Sequence, residues 1–147
     1  MSQTPRAMPN GLIWTFRILD WSMILYWAII SLGALAIVSL HAAFMYDGYG
    51  TPIIDAWHWS FAPLDILFAI LGLLAIKQSQ KQDPRWPLFA MASLCLTFCA
   101  GLMAVGFWAI RGEFNLSWWL PNLILMLVPL YWVTKLLRAA ADDGPST

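Results

Sequence analysis

Charged side chains are scarce in this chain, and so are cysteines and long polar segments. Only 11% of the 147 residues are charged, whereas soluble domains carry about a quarter. No polar stretch approaches the roughly 50 residues that a separate soluble domain needs. The two cysteines, Cys95 and Cys99, lie within one apolar run, so no disulfide framework is expected. A net charge of zero gives no indication of a nucleic-acid partner.

What the chain has in abundance is apolar sequence, at 61% of its residues. Four long apolar runs cover about 18–44, 57–76, 86–110 and 118–137. Each is long enough, as a helix, to cross a hydrocarbon layer of about 30 Å. The first run is too long for the apolar part of a removable signal peptide, so we expect it to be retained. We predict an all-α fold: an integral membrane four-helix transmembrane bundle that forms a single domain over residues 1–147.

The basic side chains predict how such a bundle is oriented. If the four runs are spans, seven of the eight Lys and Arg residues lie on one side of the membrane, namely Arg6, Arg17, Lys77, Lys81, Arg85, Lys135 and Arg138. Arg111 is alone on the other side. Because loops rich in Lys and Arg are retained in the cytoplasm, we predict that both termini are cytoplasmic and that the protein lies in the cell membrane.

Two carboxylates within the runs are candidates for function, since an ionisable group in a span is energetically costly. Asp20 falls near the start of the first run, where it would cap the helix at the inner surface or pair with Arg17. Asp65 follows Pro63 by two residues. If Pro63 begins the second helix, Asp65 caps that helix at its outer end, which is the interpretation we favour. If the helix begins near Ile54, Asp65 lies near the midplane as a proton or cation site.

Asn122 in the fourth run is the third polar candidate. It follows Pro121 as Asp65 follows Pro63, so the two side chains are at similar depth and could hydrogen-bond across the bundle. Such a bond would hold helices together, or it would belong to a polar pocket open to the outside. The candidate intramembrane polar site therefore consists of Asp65, Asn122 and Asp20.

Two sets of possible metal ligands lack a convincing pattern. His41, Asp47, Asp55 and His58 share the outer face but have no tight ligand spacing. The second set repeats every four residues along one face of the third helix: Met91, Cys95, Cys99 and Met103. Sulfur ligands suit Cu(I), yet the small residues around these positions favour a helix-packing seam. We predict neither a metal nor a cofactor.

Several short phrases carry a resemblance to a known family. They are Leu19-Asp20, Leu25-Tyr26-Trp27, Pro63-Leu64-Asp65, Cys99-Ala100-Gly101-Leu102-Met103, Phe107-Trp108 and the segment 114–122 with its Trp118-Trp119 pair. With them the chain resembles the small four-helix bacterial membrane proteins of the YvaD type, from about Phe16 to Leu137. The resemblance implies a bacterial cytoplasmic-membrane protein of uncharacterised function, and it transfers no catalytic residues.

The sequence contains no phosphate-binding loop, nucleophile elbow or zinc signature, so we do not expect an enzyme. From the small residues of the third run and the absence of a clear central charge, we predict an uncharacterised multi-pass membrane protein that acts as an interaction or accessory subunit. The alternative is a small proton- or cation-coupled transporter that uses Asp65. Small multidrug transporters share the four-helix architecture only, because the first run here has no Glu. The expected partners are the lipid bilayer and either a second copy or another membrane protein.

Overall fold

A computed structural model describes residues 7–35, 37 and 48–142 of the chain. The described residues form five helices, and the fold is all-α as predicted. In chain order the helices are α1 (Asn10–Ala34), α2 (Pro52–Trp59), α3 (Ala62–Gln80), α4 (Trp86–Arg111) and α5 (Leu116–Asp142). Helices α2 and α3 together make one apolar segment, Pro52–Gln80, so the described part holds four segments long and apolar enough to cross a membrane.

The first two segments differ from the predicted runs at their boundaries. Helix α1 begins at Asn10, eight residues before the predicted start, because Leu12 and Phe16 are buried on its inward face. The apolar run alone did not reveal this amphipathic turn. The predicted continuation over 38–44 lies outside the described residues. The second segment begins at Pro52, where the missing N–H of proline is tolerated at a helix start.

A short interruption separates α2 from α3. The N–H of Ser60 donates to the carbonyl of Ala56, and the N–H of Phe61 donates to that of His58. Pro63 then lies in the first turn of α3, where it cannot continue the hydrogen-bond ladder of α2. The helical hydrogen-bond ladder is therefore interrupted between Ser60 and Pro63, just before Asp65.

The helices pack in chain order, α1 on α3, α3 on α4 and α4 on α5. Helix α5 also returns to α1, because the indole N–H of Trp132 donates to Thr15 Oγ1 at 2.9 Å. We call the end with residues 77–85, Lys135 and Arg138 the basic end. The basic end contains the larger cluster of buried core residues, which come from α1, α3, α4, α5 and the residue Met8. Its members are Met8, Leu12, Phe16, Ala75, Ile76, Trp86, Ala90, Leu94 and Trp132. The opposite end, with Trp57, Trp108 and Trp118, we call the aromatic end.

At the basic end the loop between α3 and α4 contains an exposed ion pair. Arg85 Nη2 lies 2.8 Å from Asp83 Oδ2. Hydrogen bonds from the Arg85 side chain lower the pKa of Asp83 to about 2. Because the pKa of Asp83 is lowered, the ion pair stabilises the loop fully at pH values above the ordinary pKa of an Asp side chain. This stabilisation is lost as the pH falls through about 2.

Two glycines allow close contact between helices. At Gly72 in α3, a side-chain Cβ would overlap Asp20 Oδ2 and approach Phe16 Cδ1 to 2.8 Å. At Gly101 in α4, a Cβ would come within 2.6 Å of the carbonyl oxygen of Asn122 in α5. The sulfur-bearing stripe does not form this seam, contrary to the prediction. Cys95, Cys99 and Met103 are exposed, because the small residues that meet α5 lie on the other side of α4.

We expect Gly72→Ala to destabilise the fold by about 1–3 kcal/mol, since the added methyl group forces Asp20 and Phe16 out of position. Unfolding of the purified protein in detergent, followed by circular dichroism, measures this loss. Gly106→Ala is the matched control, because none of the described residues lies within 4 Å of a Cβ there. Equal stability of the two variants would contradict the close α1–α3 contact.

Candidate functional site

A cavity of about 360 Å³ lies between the helices at the aromatic end. Every one of the five helices contributes to its wall. Its aromatic lining consists of Tyr26, Trp27, Trp57, Phe61 and Trp118. Its polar lining consists of Ser22, His58, Asp65, Ser117 and Asn122. The volume is that of a small-molecule site, which in proteins starts at about 300 Å³.

Asp65 is the charged group of this cavity. The side chain is 7% exposed and lies in the first turn of α3. The indole N–H of Trp27 donates to Asp65 Oδ2 at 2.9 Å. Asp65 Oδ1 is buried without a hydrogen-bond partner among the described residues. One oxygen is thus fixed by α1, and the other has no hydrogen-bond partner among the described residues.

As the interpretation that we favoured assumes, α3 begins at Ala62 with Pro63 in its first turn, but Asp65 makes no capping hydrogen bond. Its bonded oxygen faces Trp27 on another helix, and the residue before α3, Phe61, provides no side-chain cap either. Because α2 precedes α3, Asp65 also lies near the middle of the 29-residue segment Pro52–Gln80. The helix start is thus that of the favoured interpretation, and the role of Asp65 as a proton or cation site stays a prediction.

His58 is buried in α2 rather than exposed in a loop. It is 3% exposed, and its Nε2 lies 3.1 Å from the hydroxyl of Tyr26. Its ring centroid is 5.0 Å from that of Trp27 and 6.0 Å from that of Trp118. The imidazole therefore holds rings from α1 and α5 around the cavity.

Asn122 reaches the same cavity but does not bond to Asp65. Its Nδ2 donates to the carbonyl of Trp118 at 2.7 Å, one turn earlier in α5. This turn contains Pro121, which has no N–H for the helix ladder. The structure thus brings two of the three predicted polar residues to one space without a direct bond between them.

Asp20 lies elsewhere, on the α1–α3 contact. It is 1% exposed, faces Gly72, and its Oδ2 has no hydrogen-bond partner within the described ranges. Since α1 begins at Asn10, Asp20 is in the interior of the helix and not in its first turns. The predicted roles as a cap or as a partner of Arg17 assumed a later helix start, and the buried position does not agree with them.

The first set of possible metal ligands comprised His41, Asp47, Asp55 and His58, and it is not assembled in the described part of the chain. His41 and Asp47 lie outside the described residues. Within 7–35, 37 and 48–142, no group of three His, Cys, Asp or Glu residues is placed to hold a metal ion.

The aromatic residues of the cavity were missed as site residues, because tryptophans near span ends are usual membrane anchors. A signal was present in the spacing. Asp20 and Trp27 are seven residues apart, as are Asp65 and Gly72. Seven residues are about two helical turns, so each pair occupies one face of its helix. The contacts Asp20–Gly72 and Trp27–Asp65 then follow from one antiparallel register.

Comparison with known proteins agrees with the resemblance seen in the sequence. The model of a family of unknown function, DUF5360, matches residues 12–143. An uncharacterized protein of Bacillus subtilis strain 168, YvaD, is 38% identical over 123 residues, which cover 84% of this chain and 89% of the relative. No solved structure matches the chain.

We expect Trp27→Phe to lower the free energy of unfolding by about 1–3 kcal/mol, because the buried carboxylate loses its donor. Asp65→Ala should be much less destabilising in the Trp27→Phe background than in the parent. Detergent unfolding curves of the two single variants and the double variant measure this coupling. Trp14→Phe, at a site 59% exposed on the same helix, is the control. Additive losses would show that Trp27 and Asp65 do not depend on one another.

Proposed function

The chain belongs to DUF5360, a family of unknown function, and we propose that it is a multi-pass protein of the cell membrane that couples the binding of a proton or another cation at Asp65 to transport. The observation that carries this proposal is the buried Asp65 carboxylate in the wall of a cavity, with one oxygen bonded to Trp27 and the other unpartnered among the described residues.

The apolar surface of the bundle supports a membrane location. Large hydrophobic side chains point outward on all four long segments, for example Leu25, Leu67, Ile110 and Leu127, which are 60%, 48%, 90% and 56% exposed. In water such surfaces would associate, whereas lipid tails solvate them. Lys77, Lys81, Arg85, Lys135 and Arg138 all lie toward one end, which by the distribution of basic residues is cytoplasmic.

This orientation predicts the location of both termini. Reporters that are active only in the cytoplasm should be active when fused to either end of the chain. A fusion in the loop at Glu113, between α4 and α5, should be inactive with the same reporter. Activity at Glu113, or loss of activity at either terminus, would contradict the proposed topology.

The electrostatics of Asp65 favour occupation by a cation. An ionised carboxylate in an apolar surrounding is strongly disfavoured unless a charge or a proton compensates it. The Trp27 indole donates one neutral hydrogen bond, which does not neutralise the charge. The cavity gives the unpartnered oxygen a space in which a cation can be received and released.

Proton movement in reconstituted liposomes tests the transport function. Liposomes that contain the protein and an internal pH-sensitive dye are given an acidic exterior, with valinomycin and K⁺ to balance charge. We expect the interior to acidify several times faster than in protein-free liposomes. Asp65→Asn should reduce the rate to the protein-free value, because the amide cannot carry the proton.

Asp142→Asn is the matched control, since Asp142 is exposed at the last residue of α5. It should leave the rate unchanged. If the liposome interior acidifies no faster with the parent protein than without protein, or if Asp65→Asn retains the parent rate, the proposal of proton transport through Asp65 is wrong.

The accessory-subunit hypothesis rested on small residues in α4 and on the lack of a central charge. In the structure Ala100, Gly101 and Ala104 are buried, and Gly101 meets the backbone of α5 in the same chain. Asp65 supplies a charge in the middle of a long segment. These observations favour transport, and an interaction role with a second copy or another membrane protein is kept as the alternative. Neither proposal assigns a catalytic step to the chain.

A further inference from the structure

We propose that the cavity at the aromatic end binds a small organic ammonium ion with apolar substituents, held by Asp65 and enclosed by the aromatic rings. This inference rests on the cation site of the proposed function and names the chemical class of its ligand.

The first argument is charge. Asp65 Oδ1 lies buried at the cavity without a partner among the described residues. The described residues that line the cavity include no Lys or Arg. The imidazole in this lining, His58, is already bonded to Tyr26. Within the described lining, the compensating positive charge is therefore expected from a ligand or from a proton.

The second argument is size. The cavity of about 360 Å³ is many times the roughly 30 Å³ that one water molecule occupies in the liquid. A proton or a single metal ion would leave most of this space to solvent. Hard cations such as Ca²⁺ also require about six or more oxygen ligands. Of the described residues, Asp65 is the one carboxylate in the lining.

The third argument is the kind of surface that surrounds the carboxylate. Faces of aromatic rings carry negative electrostatic potential and attract cations within about 6 Å, and weakly hydrated ammonium ions are bound in this way. Trp27, Trp57 and Trp118 provide such rings from three different helices. His58 contacts two of these rings and is itself bonded to Tyr26, so the aromatic walls are oriented before a ligand arrives.

The remaining wall is apolar and suits the substituents of such an ion. Ala100, Ala104 and Leu125 line the cavity from α4 and α5, and all three are buried. Alkyl or aryl groups placed against them would leave water without losing hydrogen bonds. A strongly hydrated inorganic ion would gain nothing from this surface.

Calorimetric titration of the protein in lipid nanodiscs with benzyltrimethylammonium tests the proposal. We expect saturable binding that Asp65→Asn abolishes and Asp65→Glu retains. Trp118→Leu should weaken binding about 10- to 30-fold, as expected for one largely desolvated cation–π contact. Trp119→Leu should bind like the parent, because Trp119 does not line the cavity and instead contacts Phe114 and the carbonyl of Glu113.

Two competition experiments complete the test. Benzyl alcohol at equal concentration should not displace the ion, and neither should Na⁺. Displacement by benzyl alcohol would show a merely apolar pocket, and displacement by Na⁺ would show a general monovalent site, so either result overturns the proposal. Parent-like binding by Asp65→Asn or Trp118→Leu overturns it as well.

The outcomes separate this inference from the transport function. If proton movement depends on Asp65 but benzyltrimethylammonium does not bind, the proposed ligand class is wrong and the transport proposal is supported. Binding that follows the expected variants, without proton movement, supports the ligand class and shows that the proposal of proton transport is wrong. Helical circular dichroism of each variant identifies a variant that fails to fold. If Asp65→Asn does not fold, the comparison of Trp118→Leu with Trp119→Leu decides the result.

Discussion

The hydrogen bond between the Trp27 indole and the Asp65 carboxylate is the contact on which the geometry of the site depends. It fixes how α1 lies against α3, since the same antiparallel register brings Asp20 to Gly72 two turns away. One oxygen of Asp65 is thereby oriented, and the second is left at the cavity. A neutral donor suits this purpose better than a basic residue, because it positions the carboxylate without occupying it.

The two ends of the bundle are packed in opposite ways. At the basic end a continuous apolar cluster fills the space between α1, α3, α4 and α5, and Trp132 joins the outermost helices. At the aromatic end these helices and α2 line a partly open cavity with Asp65 in its wall. Close backbone contact at Gly101 keeps α4 and α5 together below the cavity, near Asn122. The bundle thus has a packed apolar core at the basic end and a cavity at the aromatic end.

The helical fold and the four apolar segments could be predicted from the sequence, because long apolar runs allow few other structures. The depth of Asp20 could not be predicted in this way. The apolar run begins near Ile18, but the helix begins at Asn10 with an inward face made by Leu12 and Phe16. The cavity could not be predicted from the sequence either. Its walls come from all five helices, and nothing local distinguishes Trp118, which lines it, from Trp119, which does not.

The bond between Thr15 and Trp132 joins side chains that are 117 positions apart. During synthesis α1 leaves the ribosome long before α5 exists, so for most of that time Thr15 and the neighbouring Gly11 face no partner from the last helix. The order of translation therefore makes this closure a late event, which follows the pairing of α1 with α3 and of α3 with α4. A nascent chain stopped before residue 132 would hold the hairpins but not the closed ring.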